Sequence, residues 1–569
     1  MNRIHAAAVA ALSTVTLTIA PAISLAPPTT GTPALTGPLA AATPSAAAAS
    51  ARGADADLGR APGDSPHAPL SPAVAGPLAS GRGDRGDVGR GVSPLVVPGD
   101  LVSREVSFSG GGGLMLQGSV VRSREAADAQ PGMVLVHGAG SGPREKVLEE
   151  AIAFARQGIT VLVYDKRSVG YSLFRRSYGD LADDALGGVG ALRRQPDVDP
   201  AKVGIWGFSE GGWVAPVAAA KSPDVAFLIL VGANGLAPLR QQTWAVAAAL
   251  RKSGVSGPLV DVSVPKLYRV IADGGMFPEP YFDPAPVAAR VKQPVLGVWG
   301  VHDLLTPPRE SPPRLAEALE QGGNRSYTFR FFPDADHAAH LSPDGGVTRL
   351  PDLAPGYADL VGSWVADVTS GRVPTASVSG PAPVQPDDTV PVPPPAWWES
   401  AGMQLAALSL FLVAFGGYPV AALTRRLRRL SRRGTATAST TPAAMAPRAP
   451  TAPPAPAAFA APAACLRPAR VVSAGGLVTI AGAFVFLAYQ IMIGGKLAAP
   501  GPVVADRPLV WLALQALTAA TAVATALTAT RLARSWRSIG VGERFRLGLL
   551  VAGGVVFVPW ALSWGLLLP

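Results

Sequence analysis

Four apolar runs of about 20 residues each, near 403–423, 472–495, 508–530 and 547–567, constrain this 569-residue chain more than any other feature. A run of that length crosses a hydrocarbon core of roughly 30 Å as a helix, because only a helix satisfies its own backbone there. The predicted C-terminal part, 401–569, is therefore an all-α transmembrane region of four helices. The second run carries Gly475, Gly476 and Gly482, which suit close helix packing. The third is Ala/Thr-rich and the least apolar. None of the four runs contains an acidic residue or a histidine, the usual mark of a proton or ion path. Anchoring or interaction with another membrane protein fits them better than transport.

The charges orient the runs. Net charge is +10, and much of the excess is arginine beside apolar sequence. The loop 425–470, predicted disordered, carries Arg425, Arg426, Arg428, Arg429, Arg432, Arg433, Arg448, Arg467 and Arg470, with no acidic residue. The loop 496–507 has only Lys496, Asp506 and Arg507, and the next one holds Arg531, Arg534, Arg537, Arg544 and Arg546 against Glu543. This alternation follows the positive-inside rule, with 425–470 cytoplasmic, and argues against nucleic-acid binding. Independently, residues 1–26 have a basic start at Arg3, an apolar run from Ala6 to about Ile23, and small residues at Ser24 and Ala26. That pattern is a signal peptide or an N-terminal anchor, and both send the downstream chain out of the cytoplasm.

Proline and glycine (57 and 63 residues) crowd into segments that cannot build a core. Residues 27–100 read as a flexible spacer, in which two Arg-Gly-Asp triplets (82–84 and 85–87) fit chance in a Gly/Arg/Asp-rich stretch better than adhesion. Residues 373–400 read as a Pro-rich stalk between the middle of the chain and the membrane. The single cysteine, Cys465, excludes an intramolecular disulfide and a cysteine-based metal site.

Between these segments the texture changes. Strand-length apolar runs stand at 102–108, 114–121, 132–136, 159–164, 202–206, 225–231, 294–299 and 326–332. Helical stretches alternate with the later ones, which implies a mostly parallel sheet covered on both faces. The first two runs have no helix between them and should form an antiparallel hairpin at one edge. Residues 233–290 break the rhythm. They are partly helical (239–251), then rich in Pro and Gly, and are expected to cap the sheet.

The strand Lys202–Trp206 runs directly into Gly207-Phe208-Ser209-Glu210-Gly211, and an Ala-rich helix comes next. G-x-S-x-G in that setting is a sharp turn that exposes Ser209 as a nucleophile. Gly207 and Gly211 remove side chains that would collide across the turn, and the helix N-terminus aims its amide dipoles at the serine. A serine needs a base. Of the six histidines, His337 stands closely after the last strand, with His340 as the alternative. The base needs an acid, and Asp303 stands just after the strand 294–299, with Asp334 and Asp336 as alternatives too close to the histidine. Val134-Leu135-Val136-His137-Gly138-Ala139-Gly140 is a buried strand ending in H-G-x-G. The backbone N–H groups of Ala139 and Glu210 are the expected oxyanion donors. Asp165, Lys166 and Arg167 are expected to pin their loop by salt bridges, and the Glu210 side chain to bond neighbouring backbone.

These residues carry a resemblance. Tyr164-Asp165-Lys166-Arg167-Ser168-Val169-Gly170-Tyr171-Ser172 resembles the Y-D-K-R-G-x-G-x-S loop of bacterial α/β-hydrolases of the dienelactone-hydrolase-like and acyl-peptidase-like esterase group, with Ser168 in place of glycine. Gly207–Gly212 resembles their G-H-S-E-G-G, with Phe208 replacing the histidine. The resemblance covers about 270 residues and implies an α/β-hydrolase fold over 101–372: an eight-stranded, mostly parallel sheet with a small helical cap. It implies the chain order Ser209, Asp303, His337, a small acyl-ester or lipid substrate, and no metal or organic cofactor. The same apparatus serves a serine peptidase or amidase, or an envelope acyltransferase. A different class, a membrane interaction or sensing protein with a degenerate hydrolase domain, also fits the layout.

Overall fold

Alternation along the strands decides what holds this molecule together. In the third strand Met133 and Leu135 face one way and Val134 and Val136 the other, and all four are buried. The fold is therefore three-layered, with one apolar core on each face of the sheet. The computed structural model describes residues 95–126, 129–172, 174–436, 463–494 and 499–568. The leader, nearly all of the spacer, and 437–462 of the long basic loop lie outside the described residues.

The strands are β1 (Leu101–Ser109), β2 (Met115–Ser123), β3 (Gln130–Val136), β4 (Thr160–Tyr164), β5 (Val198–Phe208), β6 (Leu228–Val231), β7 (Val295–Gly300), β8 (Tyr327–Phe332) and β9 (Ser377–Ser379). Their order in the sheet is β1-β2-β4-β3-β5-β6-β7-β8-β9. The β1–β2 pair is the antiparallel edge hairpin the sequence calls for, and β3 to β9 run parallel. On one face lie α1 (Leu148–Arg156) and a helix near the end of the domain, Tyr357–Thr369. On the other lie α2 (Tyr178–Arg193), α3 (Gly211–Lys221) and the helix Ser311–Gln321. This is the α/β-hydrolase arrangement. Between β6 and β7 stand α4 (Pro238–Lys252), a π-turn at Leu259–Ser263, α5 (Val264–Asp273) and a short helix, Ala285–Ala288.

All eight expected strands form, and the ninth comes from the Pro-rich segment. The predicted stalk is instead a strap laid along the domain. Ser377–Ser379 pairs with β8, and Val384 N–H donates to Val301 O at 2.9 Å. Gln385 and Thr389 bury their polar groups against Glu310. A proline-rich chain has few amides to satisfy, so a handful of donors is enough to dock it.

Among the described residues, four helices are long and apolar enough to cross a membrane: Ala401–Arg428, Leu466–Ile493, Leu509–Ser538 and Val541–Ser563. They mark the chain as a membrane protein. The three glycines of the second helix are contact points. A Cβ on Gly475 would stand 2.3 Å from Thr521 Oγ1, on Gly476 2.5 Å from the Phe415 ring, and on Gly482 2.7 Å from Leu514. The arginines 531–546 expected in a loop lie mostly on helix, with only Ile539 and Gly540 between the third and fourth spans.

Candidate active site

The turn after β5 is as tight as its glycines suggest. A Cβ on Gly207 would meet Gly211 O at 2.2 Å, and one on Gly211 would meet Val136 O at 2.2 Å. Ser209 sits between them with φ +55°, a left-handed conformation that costs a non-glycine residue about 1–2 kcal/mol. Two hydrogen bonds hold it there: Ser209 N–H donates to Val231 O (2.9 Å), and Gly212 N–H donates to Ser209 O (2.8 Å). The strain is stored at the one point where strand gives way to helix.

Asp303 comes after β7, and its carboxylate is fully committed. Oδ1 accepts from the N–H groups of Leu305 (2.8 Å) and Thr306 (2.7 Å), which leaves Oδ2 for His337 Nδ1 at 2.8 Å. Both side chains are buried. A carboxylate at Nδ1 fixes the proton on that nitrogen and leaves the Nε2 lone pair as a base. Phe208, next to the serine, packs its ring 5.0 Å from the imidazole. Gly232, after β6, leaves room for it, since a Cβ there would stand 2.8 Å from His337 Nδ1.

The alternative residues are occupied elsewhere. His340 contacts Glu150 Oε1 (3.3 Å) and Leu350 O (3.1 Å). Asp336 binds Arg349 Nε (2.6 Å) and accepts from the backbone of Ala338 and His340, so it shapes the loop that carries His337. Asp334 occupies the turn after β8 with φ +51°.

The H-G-A-G loop lies against the serine: a Cβ on Gly138 would stand 3.3 Å from Ser209 Cβ. A buried ionic network ties this loop, which holds Ala139, to the turn, which holds Glu210. Lys166 Nζ donates to Gly138 O (2.7 Å) and to Glu210 Oε2 (2.5 Å). Tyr171 OH accepts from Gly140 N–H (2.8 Å) and donates to Glu210 Oε2 (2.7 Å). Arg176 Nη1 reaches Glu210 Oε1 at 2.5 Å. Burial would push the Glu210 carboxyl up, but Lys166 and Arg176 hold it below the usual range. Glu210 thus bonds side chains rather than neighbouring backbone. Tyr171 and Arg176 are not legible in the sequence as its partners, because their only link to residue 210 is through space. Arg167 does pin its loop: it grips Asp184 at Nε–Oδ2 2.6 Å and Nη2–Oδ1 2.5 Å, and donates to Gly111 O. His137 is driven down to about 4, first by burial and then by Lys166 and Lys146, so it is neutral and unsuited to act as a base near pH 7.

An open pocket of about 430 Å³ touches Ser141, Arg144, Asp165, Lys166 and Ser168, beside the H-G-A-G loop, and Ser209 does not line it. The described residues contain no group of three or more His, Cys, Asp or Glu side chains placed to hold a metal.

Residues 150–350 match the prolyl oligopeptidase family. A thiohydrolase of Arthrinium phaeospermum is 32% identical over 134 residues, 23% of this chain and 43% of that protein. A polyketide transferase of Penicillium crustosum is 35% identical over 133 residues, 22% of this chain and 43% of that one. The chain thus spans under half the length of these curated relatives. Among solved structures, a 2,6-dihydroxy-pseudo-oxynicotine hydrolase aligns at 15% identity and TM-score 0.36, over 49% of this chain and 71% of its own.

Proposed function

We propose that this chain is a membrane-tethered serine hydrolase that cleaves acyl esters outside the cytoplasm. Residues 101–372 are its catalytic domain, 233–290 the cap, and 401–569 the anchor. The observation that carries the reading is the 2.8 Å bond from the buried Asp303 to His337, formed at the carboxyl end of the parallel strands, where the strained Ser209 also stands. In this reading Ser209 Oγ attacks the acyl carbonyl while His337 Nε2 takes its proton. The N–H groups of Ala139 and Glu210 stabilise the oxyanion. His337 returns the proton to the leaving alcohol, and the acyl-enzyme forms. Water, deprotonated by the same nitrogen, then releases the acid and regenerates the serine. Asp303 holds the imidazole ring in place and stabilises the imidazolium in both halves.

The ionic network supports this assignment, because it fixes both loops that carry the oxyanion donors. The family match makes peptide or amide cleavage the first alternative. The thiohydrolase and polyketide transferase relatives fit the same acyl-enzyme with a thioester donor or another acceptor. The extracytoplasmic placement rests on the arginine-rich ends of the helices lying away from the catalytic domain.

The test uses the full chain in detergent. Wild type is expected to hydrolyse short acyl esters and to react with a fluorophosphonate probe. Ser209→Ala is expected to abolish labelling and lower turnover by about 10⁴-fold or more. Equal activity in the two proteins would sink the enzyme reading and leave the interaction or sensing role.

A further inference from the structure

The insertion between β6 and β7 has two faces with different partners. One face of α4 meets the catalytic loops. Trp244 and Ala248 pack with Leu305, two residues after Asp303, and Gln241 Nε2 donates to Leu305 O. Lys252 Nζ donates to Gly345 O at 2.7 Å, in the loop that comes after His337. The remaining apolar surface joins the membrane helices. Leu250, Leu259 and Val264 share one buried core with Phe415, Trp511 and Trp564. The two cores of the sheet contain no residue of α4 or α5. Phe282, Ala285 and Ala288 belong to a core of the sheet, whereas the α4–α5 part of the insertion is packed with the bundle.

Polar contacts clamp it at three points. Ser263 Oγ donates to Trp564 O (2.7 Å), just past the end of the fourth span. Ser256 N–H donates to Asp506 O (2.9 Å), just before the third. Asp273 Oδ2 accepts from Ala401 N–H (2.8 Å), at the start of the first. Helix direction puts all three at one end of the bundle, and Arg425–Arg433 and Arg531–Arg546 at the other. Next to the clamp, Lys266 and Arg269 pair with Glu399 (3.5 and 3.4 Å), and Lys266 lies over the Trp564 ring. Trp397 and Trp398 precede Glu399 and are 71% and 60% exposed, as aromatic residues at a membrane–water boundary are. In this reading the membrane–water boundary runs near α5, whose partner α4 touches the loops that carry Asp303 and His337.

We propose that the substrate is an acyl ester borne by a lipid of the leaflet on the catalytic side, which reaches Ser209 from the bilayer along the cap rather than from solution. This rests on the serine-hydrolase reading above. A lid clamped to the bundle can open only by the catalytic domain and the cap separating at the membrane surface. An acyl chain already in the bilayer is then the substrate with least apolar surface to expose on the way.

The full chain in phosphatidylcholine vesicles tests it, with a fluorogenic phospholipid ester in the same bilayer and a short p-nitrophenyl ester in solution. Wild type is expected to cleave both in a Ser209-dependent manner. The double substitution Ser263→Ala, Lys266→Met weakens the clamp. It is expected to slow lipid cleavage about tenfold while soluble-ester turnover stays within about twofold. Cleavage of the soluble ester alone by wild type overturns the lipid inference and leaves the hydrolase reading standing. Loss of both activities to the same degree in the variant also overturns it, since the clamp then serves only the fold. Failure of wild type to cleave either ester or to react with the fluorophosphonate overturns the hydrolase reading itself.

Discussion

The α/β domain and the membrane bundle both bury polar side chains, but of different kinds. In the domain they include the ion pairs of Lys166 with Glu210 and Arg167 with Asp184, and the Asp303 carboxylate bonded to His337. In the bundle the buried ones are neutral, and the threonines of the third helix are satisfied within that helix. Thr518 donates to Leu514 O, Thr525 to Thr521 O and Thr528 to Ala524 O, at 2.6–2.8 Å. Two make long-range bonds: Gln404 Oε1 accepts from the indole N–H of Trp560 (3.0 Å) and of Trp564 (3.1 Å), and Ser473 Oγ donates to Phe415 O (2.7 Å). A buried charge persists only where several partners converge on it, and loops that meet at the edge of a sheet supply them. Parallel helices in lipid supply few, and a hydroxyl bonded to its own turn costs least there. Charge is thus concentrated where chemistry is proposed, and the bundle is built to hold shape.

The sharpest break of this contrast is Asp303→Asn. It keeps the shape, but the amide favours the wrong imidazole tautomer, and ester turnover should fall about 10⁴-fold with folding unchanged. Turnover within tenfold of wild type would remove Asp303 from the mechanism. Arg167→Met comes next. It leaves Asp184 buried without its cation and should lower the stability of the domain by about 3–5 kcal/mol, read from denaturant unfolding. A loss under 1 kcal/mol would mean that the pair only breaks even.

His137 gives a pH signature. Its folded-state value of about 4 lies below the ordinary 6.5, so between those values the unfolded chain binds the extra proton. The contribution, on the order of 3 kcal/mol, is complete above pH 6.5 and lost as the pH falls toward 4. His137→Gln should flatten the fall in melting temperature between pH 7 and 4.5, and an unchanged slope would contradict the burial of a neutral imidazole. The smallest effect belongs to the bundle. Gln404→Leu leaves two indole N–H groups without their acceptor and should cost about 1 kcal/mol. Soluble-ester turnover should be unaffected, and a parallel loss would show the two regions to be coupled more tightly than their packing implies.

Much of this is legible in the chain. Strand periodicity and turn residues place all eight long strands, and apolar length places the four spans, because both are local properties of consecutive residues. Ser209 is legible for the same reason, since its strand, its two glycines and its helix are contiguous. Asp303 and His337 are legible as positions after strands, but the 2.8 Å bond between them depends on β7 and β8 being neighbours in the sheet. The Pro-rich strap reads as a stalk because nothing in its composition indicates Glu310 or the free edge of β8.

The sequence by itself determined where the membrane helices lie, which end of each is basic, and which serine stands on a strained turn. Only the tertiary structure decided what Glu210 bonds, why Lys166 is buried, and that α4 and α5 pack with the bundle. Those contacts join residues separated by tens to hundreds of positions, such as Lys166 to Glu210 and Ser263 to Trp564. No periodicity encodes such pairs. They form because each buried polar group must find a partner, and the packed fold fixes which partners are within reach.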